Sequence, residues 1–126
     1  MFILEYLHKL GVWKKSIDLV LEVYRLIKKL PKEENYSLAD QMRRAAVSIP
    51  SNIAEGRNRS SEKEYLRFLY ISRGSLGEIA TQIFICVKLG YLKESETEVA
   101  FNLCDEVGKM LNTVISKIRN ESQANS

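Results

Sequence analysis

The sequence predicts an all-α protein, an antiparallel up-down-up-down four-helix bundle spanning residues 1–126 as a single domain, and three observations predict it. Apolar residues recur every three or four positions through four long stretches, which is the spacing that lines one face of a helix. Polar links of roughly four to six residues join those stretches, short enough to make sequence neighbours antiparallel in space. No convincing strand interrupts them.

Composition agrees with one globular core: 45% of the 126 residues are hydrophobic, and two prolines with six glycines exclude a disordered or fibrous class. A net charge of +3 and a pI near 8.9 permit a polyanionic partner without demanding one.

Residues 1–11 have two readings. Phe2, Ile3, Leu4, Tyr6, Leu7 and Leu10 either extend the first helix or form an arm packed on another surface, with Gly11 as the natural break. Glu5 interrupts the apolar start, so no signal-peptide core forms, and no apolar run reaches the roughly 20 residues of a membrane span. A cytoplasmic protein with reduced Cys86 and Cys104 is expected. A hairpin about Leu92 and Lys93 would set Cys86 level with Val99, which leaves Cys104 too far along for a disulfide.

The first long helix is predicted over about 12–30, stopped by Pro31. Trp13, Ile17, Val20, Tyr24 and Ile27 keep one 4-3-4-3 spacing, and Leu19, Val23, Leu26 and Leu30 keep a second. Polar residues cover only about 100° of the circumference, so the apolar arc is wider than one core needs. The stripe Leu19, Val23, Leu26 and Leu30 is therefore assigned to an interface with a second subunit.

The second helix, about 37–56, opens on Ser37 with Asp40 as a capping pair and ends near Gly56. Met42, Ala45, Ile49, Ile53 and Gly56 share a face, whereas Arg44, Ser48, Ser51 and Glu55 share another. Pro50 lies in its interior, where the ring removes a donor and crowds the Ala46 carbonyl at about 3 kcal/mol. A bend is expected there, with Ser48, Ser51 and Asn52 satisfying the orphaned carbonyls.

The third helix, about 61–89, starts from the box Ser61/Glu64 and carries the cleanest seam, Tyr65, Leu69, Ser72, Leu76, Ile79, Ile83 and Cys86. Gly74 and Gly77 fall off this seam, where they permit a close helix approach. Their G-x-x-G spacing is also that of an RNA-clamping loop, but here it sits in a helical repeat without strands. Gly90 ends the helix, and Ser95 with Glu98 caps the fourth, about 95–119, striped by Ala100, Leu103, Val107, Met110, Val114 and Ile118. Residues 120–126 form a polar tail expected to fray. Trp13, Ile49, Ile53, Leu69, Leu76, Ile83, Leu103 and Val107 are the predicted core.

Catalytic patterns are sparse. His8 is the single histidine, so Glu5-x-x-His8 cannot be half of a paired metal motif, and the serines lack a general base. Glu55 and Glu64 can be imagined as an acid and base pair. The plainer reading is an Arg44–Glu55 contact with a cap at Glu64. No enzyme, metal or cofactor is expected.

The run Arg43-Arg44-Ala45-Ala46-Val47-Ser48-Ile49-Pro50-Ser51-Asn52-Ile53-Ala54-Glu55-Gly56, with Trp13 upstream and Glu64-Tyr65-Leu66-Arg67-Phe68-Leu69-Tyr70-Ile71-Ser72-Arg73-Gly74-Ser75-Leu76 downstream, resembles a known family. It is similar to the small four-helix-bundle proteins encoded in intervening sequences of bacterial 23S ribosomal RNA genes, from about Leu10 to Arg119. A relative, the accessory variability determinant of diversity-generating retroelements, is a basic pentamer that binds nucleic acid and a reverse transcriptase. The resemblance thus implies a homo-oligomer, by analogy a pentamer, with RNA or DNA and a reverse transcriptase among its possible partners.

The basic residues give the same direction. Arg43 and Arg44 precede Pro50, Arg57 and Arg59 flank the next turn, and Lys63 and Arg67 share a face with Tyr70. Guanidinium forks suit phosphates, and Tyr70 can stack on a base. A nucleic-acid-binding accessory protein with weak sequence preference is the expectation. The alternative is a protein–protein adaptor whose basic residues serve solubility.

Overall fold

The structure, a computed structural model, describes residues 2–124. It is all-helical, without a strand among the described residues: α1 Phe2–His8, α2 Gly11–Ile27, α3 Leu38–Arg57, α4 Glu62–Lys88 and α5 Glu98–Ala124. Residues 2–11 resolve the open choice at the amino end: α1 is a separate short helix, broken from α2 at Lys9 and Leu10, with Leu7 buried and Phe2 82% exposed, while residue 1 lies outside the described residues. The first long helix stops three residues early, its end tightened by a Leu30 N–H to Ile27 carbonyl bond of 3.0 Å before Pro31. The last one runs on to Ala124, where a frayed tail was expected, and Ser122 donates to Glu62 at 2.9 Å. The remainder of that tail, residues 125 and 126, lies outside the described residues.

Each long helix packs on two others: α2 on α3 and α5, and α4 on α3 and α5. Positions rise along one partner as they fall along the other. Met42 meets Cys86, Ser48 meets Ser75, and Gly56 meets Phe68 between α3 and α4. Between α2 and α5, Gly11 lies by Met110 and Lys15 by Glu106, and Lys29 just after α2 pairs with Glu96 just before α5.

The core is built on those contacts. Leu19, Val23, Leu26, Met42, Ile49, Ile53, Leu69, Ile79, Ile83 and Leu111 are inaccessible to solvent. Trp13 and Leu103 are only half-buried, at the margin of that core.

The interface assignment of Leu19, Val23, Leu26 and Leu30 is therefore corrected, since all four are buried within the single chain. The other stripe of α2 is half-buried at Trp13, Ile17 and Val20 and buried at Ile27, and α2 opens to solvent at Tyr24, 40% exposed, and the neighbouring Leu21, 65% exposed. Two periodic stripes on one helix cannot be ranked by period alone, because only the packing partners decide which faces inward.

Helix α3 continues without interruption through Pro50. Polar side chains gather on the carbonyls just ahead of the ring: Asn52 Nδ2 donates to the Ser48 carbonyl at 2.8 Å, and buried Ser72 Oγ donates across from α4 to the Ile49 carbonyl at 2.9 Å. The close approach expected at Gly74 and Gly77 occurs at Gly56 instead. A Cβ at Gly56 would lie 2.6 Å from Phe68 Cβ, whereas nothing stands within 4 Å of one at Gly74 or Gly77.

Two caps differ from expectation. Ser37 donates to Glu34 at 2.6 Å, and the Glu34 carboxylate also accepts from the Leu38 N–H at 3.4 Å. At the start of α5, a 3-10 turn at Glu94–Glu96 replaces the Ser95/Glu98 box, and Glu96 accepts from the Lys93 N–H at 2.8 Å.

Candidate nucleic-acid interface

The turn from α3 to α4 holds the main cluster of cations. Asn58 closes α3, its side chain donating to the Ala54 carbonyl at 3.0 Å, and Ser61 opens α4 as expected by accepting from the Glu64 N–H at 3.2 Å. Gly56 brings the two helices so close that Arg57, Arg59, Lys63 and Arg67 project from one small region, all exposed.

Rings lie beneath the guanidinium groups. Arg57 sits over Tyr6 at 5.2 Å and Tyr65 at 5.8 Å from the ring centroids, while Arg59 and Arg67 sit over Phe68 at 5.0 and 4.4 Å. Burial pushes the Tyr65 phenol above its usual range, opposed by the charge of Arg57. Sequence reading passed over Tyr6 and Phe68 and treated Tyr65 only as a seam residue, because ring stacking between turns and helices carries no periodic signal.

Two of the four cations have carboxylate partners. Arg59 Nη2 lies 2.5 Å from Glu55, and Arg67 Nε lies 2.8 Å from Glu64. The hydrogen bond between the latter pair holds the Glu64 carboxyl below its usual range and raises the guanidinium. Arg57 and Lys63 make no ion pair among the described residues. The expected Arg44–Glu55 contact gives way to two local pairs, Arg44 with Asp40 at 3.0 Å and Glu55 with Arg59, since residues four apart share a helix face.

Not every candidate gathers here. Arg43 donates to the Asn35 carbonyl at 3.3 Å, and both it and Arg44 lie about 20 Å along α3 from Arg57 at 1.5 Å per residue. Tyr70, on the next turns of α4, is exposed and lies 5.0 Å from the guanidinium of Arg73, which donates to Asn112 at 3.2 Å. Arg73 is thus a further cation of this face that no charge run singled out.

The remaining reactive groups have structural surroundings. Burial pushes the unpaired thiols of Cys86 and Cys104 up to about 11, which keeps them protonated and weakly nucleophilic at neutral pH. His8 Nδ1 lies 2.8 Å from the Leu4 carbonyl, with its ring edge-on to Trp13. Among the described residues, no three His, Cys, Asp or Glu side chains group as a metal site, and no helix is long and apolar enough to cross a membrane.

Comparison with known proteins adds two findings. The model of the family described as 23S rRNA-intervening sequence protein matches residues 8–113. A crystal structure of a protein of unknown function from the S23 ribosomal protein family of Bacteroides thetaiotaomicron superposes with a TM-score of 0.76 at 23% identity, over 82% of this chain and 97% of that one. No match was found among curated proteins.

Proposed function

This chain belongs to the 23S rRNA-intervening sequence protein family, and from that premise we propose that it is a non-catalytic, oligomeric accessory protein that binds RNA or DNA through the α3–α4 turn. In this reading the four long helices form an antiparallel up-down-up-down bundle, bent at Pro50, and the protein acts in the cytoplasm.

The observation that carries the reading is the layering of Arg57, Arg59 and Arg67 over Tyr6, Tyr65 and Phe68 beside exposed Lys63. Guanidinium forks suit phosphates, and Tyr70 beside Arg73 offers a ring for a base. The pairs with Glu55 and Glu64 do not bar this role. Exposed pairs of this spacing are worth only about 0.3–0.5 kcal/mol, so a phosphate can displace the carboxylate.

Assembly supplies what one subunit at +3 lacks, because a ring repeats the patch and avidity multiplies weak contacts. Its self-contact is assigned to the cleft between α2 and α3 lined by Trp13, Ile17, Val20, Val47 and Pro50, continued by Leu21 and Tyr24. By analogy with the pentameric relative, five subunits are proposed.

Filter binding of single-stranded RNA and DNA across a salt series tests the reading, on protein whose mass is measured by light scattering. Affinity should fall with a log-log slope of about −0.7 per phosphate neutralised. Arg57→Glu with Arg59→Glu should weaken all sequences alike and flatten that slope, with helical content unchanged. Binding that ignores salt, or no retention at low salt, favours the adaptor reading, which the exposed apolar side of α2 supports.

A further inference from the structure

A cleft of about 620 Å³ opens at the same end of the molecule, between the α1–α2 junction, the start of α4 and the second half of α5. Its floor is aliphatic: Val12, Met110, Val114 and Ile118, with the edge of Tyr65. Gly11 makes room for that floor, since a Cβ there would come within 3.0 Å of Met110 Cε. Lys9, Arg57, Lys109 and Lys117 stand around the rim, and none of them makes an ion pair among the described residues. Two carboxylates, Glu62 and Glu121, also line it, and Glu62 already accepts from Ser122.

We propose that this cleft is a docking groove for an acidic amphipathic helix of a partner protein, whose apolar side chains seat on Met110, Val114 and Ile118 while its carboxylates meet Lys109, Lys117 and Arg57. The three apolar positions recur every fourth residue along α5. They mark out about 12 Å, or two helical turns, which is the footprint of an i, i+4, i+7 set of anchors. A flexible thioether on the floor suits such a face because it adapts to the side chains laid on it. Charge complementarity sets the sign of the partner: four cations against two carboxylates attract an acidic segment and repel a basic one. Nucleic acid is the poorer fit, since bases stack on aromatic rings and this floor is mainly branched aliphatic and thioether surface.

Fluorescence anisotropy decides it, with a labelled peptide of about 14 residues, four turns, carrying leucines at i, i+4 and i+7 among glutamates. A scrambled peptide of the same composition is the control for charge alone. The ordered peptide should bind at least about tenfold more tightly than the scrambled one, and Lys109→Glu with Lys117→Glu should weaken the ordered peptide by at least about tenfold. Both lysines are exposed, so circular dichroism should show the variant folded. Equal binding of the two peptides, or unchanged binding of the ordered peptide to the variant, overturns the proposal. So does a variant that loses RNA binding while its peptide binding stays intact, which would make the groove a nucleic-acid surface. Lys109 and Lys117 lie outside the α3–α4 patch, so either reading can fail alone.

Discussion

The α3–α4 contact and the outer side of α2 use the same helical periodicity to opposite ends. Between α3 and α4 the surfaces are closed by small residues and polar stitches: Gly56 against Phe68, Ser48 with Ser75 at 2.8 Å, and Ser72 on the Ile49 carbonyl. Along α2, large side chains such as Leu21 and Tyr24 stand half in water beside the open cleft at Trp13 and Ile17. A closed contact with buried hydrogen bonds has one geometry, because each shift leaves a polar atom unpaired. A face of large exposed apolar groups has no such constraint, and it is the kind of surface a partner covers.

The largest effect expected from this contrast is at Leu69, which is fully buried where α4 meets the core. Leu69→Ala should cost about 2–5 kcal/mol, read from the midpoint of a denaturant titration. A loss near that of a surface substitution would mean that the closed contact is not what holds the fold.

Gly56→Ala should come next, at about 1–3 kcal/mol by the same titration, because the added methyl meets Phe68 Cβ and the Tyr65 ring and the two helices must part. It also sharpens the functional question. Parting α3 from α4 moves Arg57 off Tyr65, so RNA affinity should fall with stability; retained affinity would separate the patch from the tight contact.

The smallest effect has the opposite sign. Gly74→Ala and Gly77→Ala should each stabilise by about 0.5–1 kcal/mol, since alanine is the better helix former and nothing lies within 4 Å of the new methyl. Destabilisation, growing with protein concentration, would instead place a neighbouring subunit on that face of α4 and shift the self-contact away from α2.

The sequence by itself determined the helical class, the approximate span of four long helices, the Ser61 cap and most of the buried seam, because period, caps and breakers are local properties. It also singled out Arg57, Arg59, Lys63, Arg67 and Tyr70. Where several local solutions competed, tertiary packing decided. Glu34 rather than Asp40 serves the start of α3, because Ser37 and Leu38 both reach it from one turn away. Leu19, Val23, Leu26 and Leu30 face the core, and Trp13, Ile17 and Val20 are left half-buried at its margin, because α3 and α5 do not surround α2. Gly56, and not Gly74 or Gly77, is the point of close approach, since that depends on which helix lies opposite. The rings beneath the arginines and the groove beside Met110 come from residues as far apart in sequence as Tyr6, Tyr65 and Val114. No one-dimensional pattern relates such residues until folding sets them side by side.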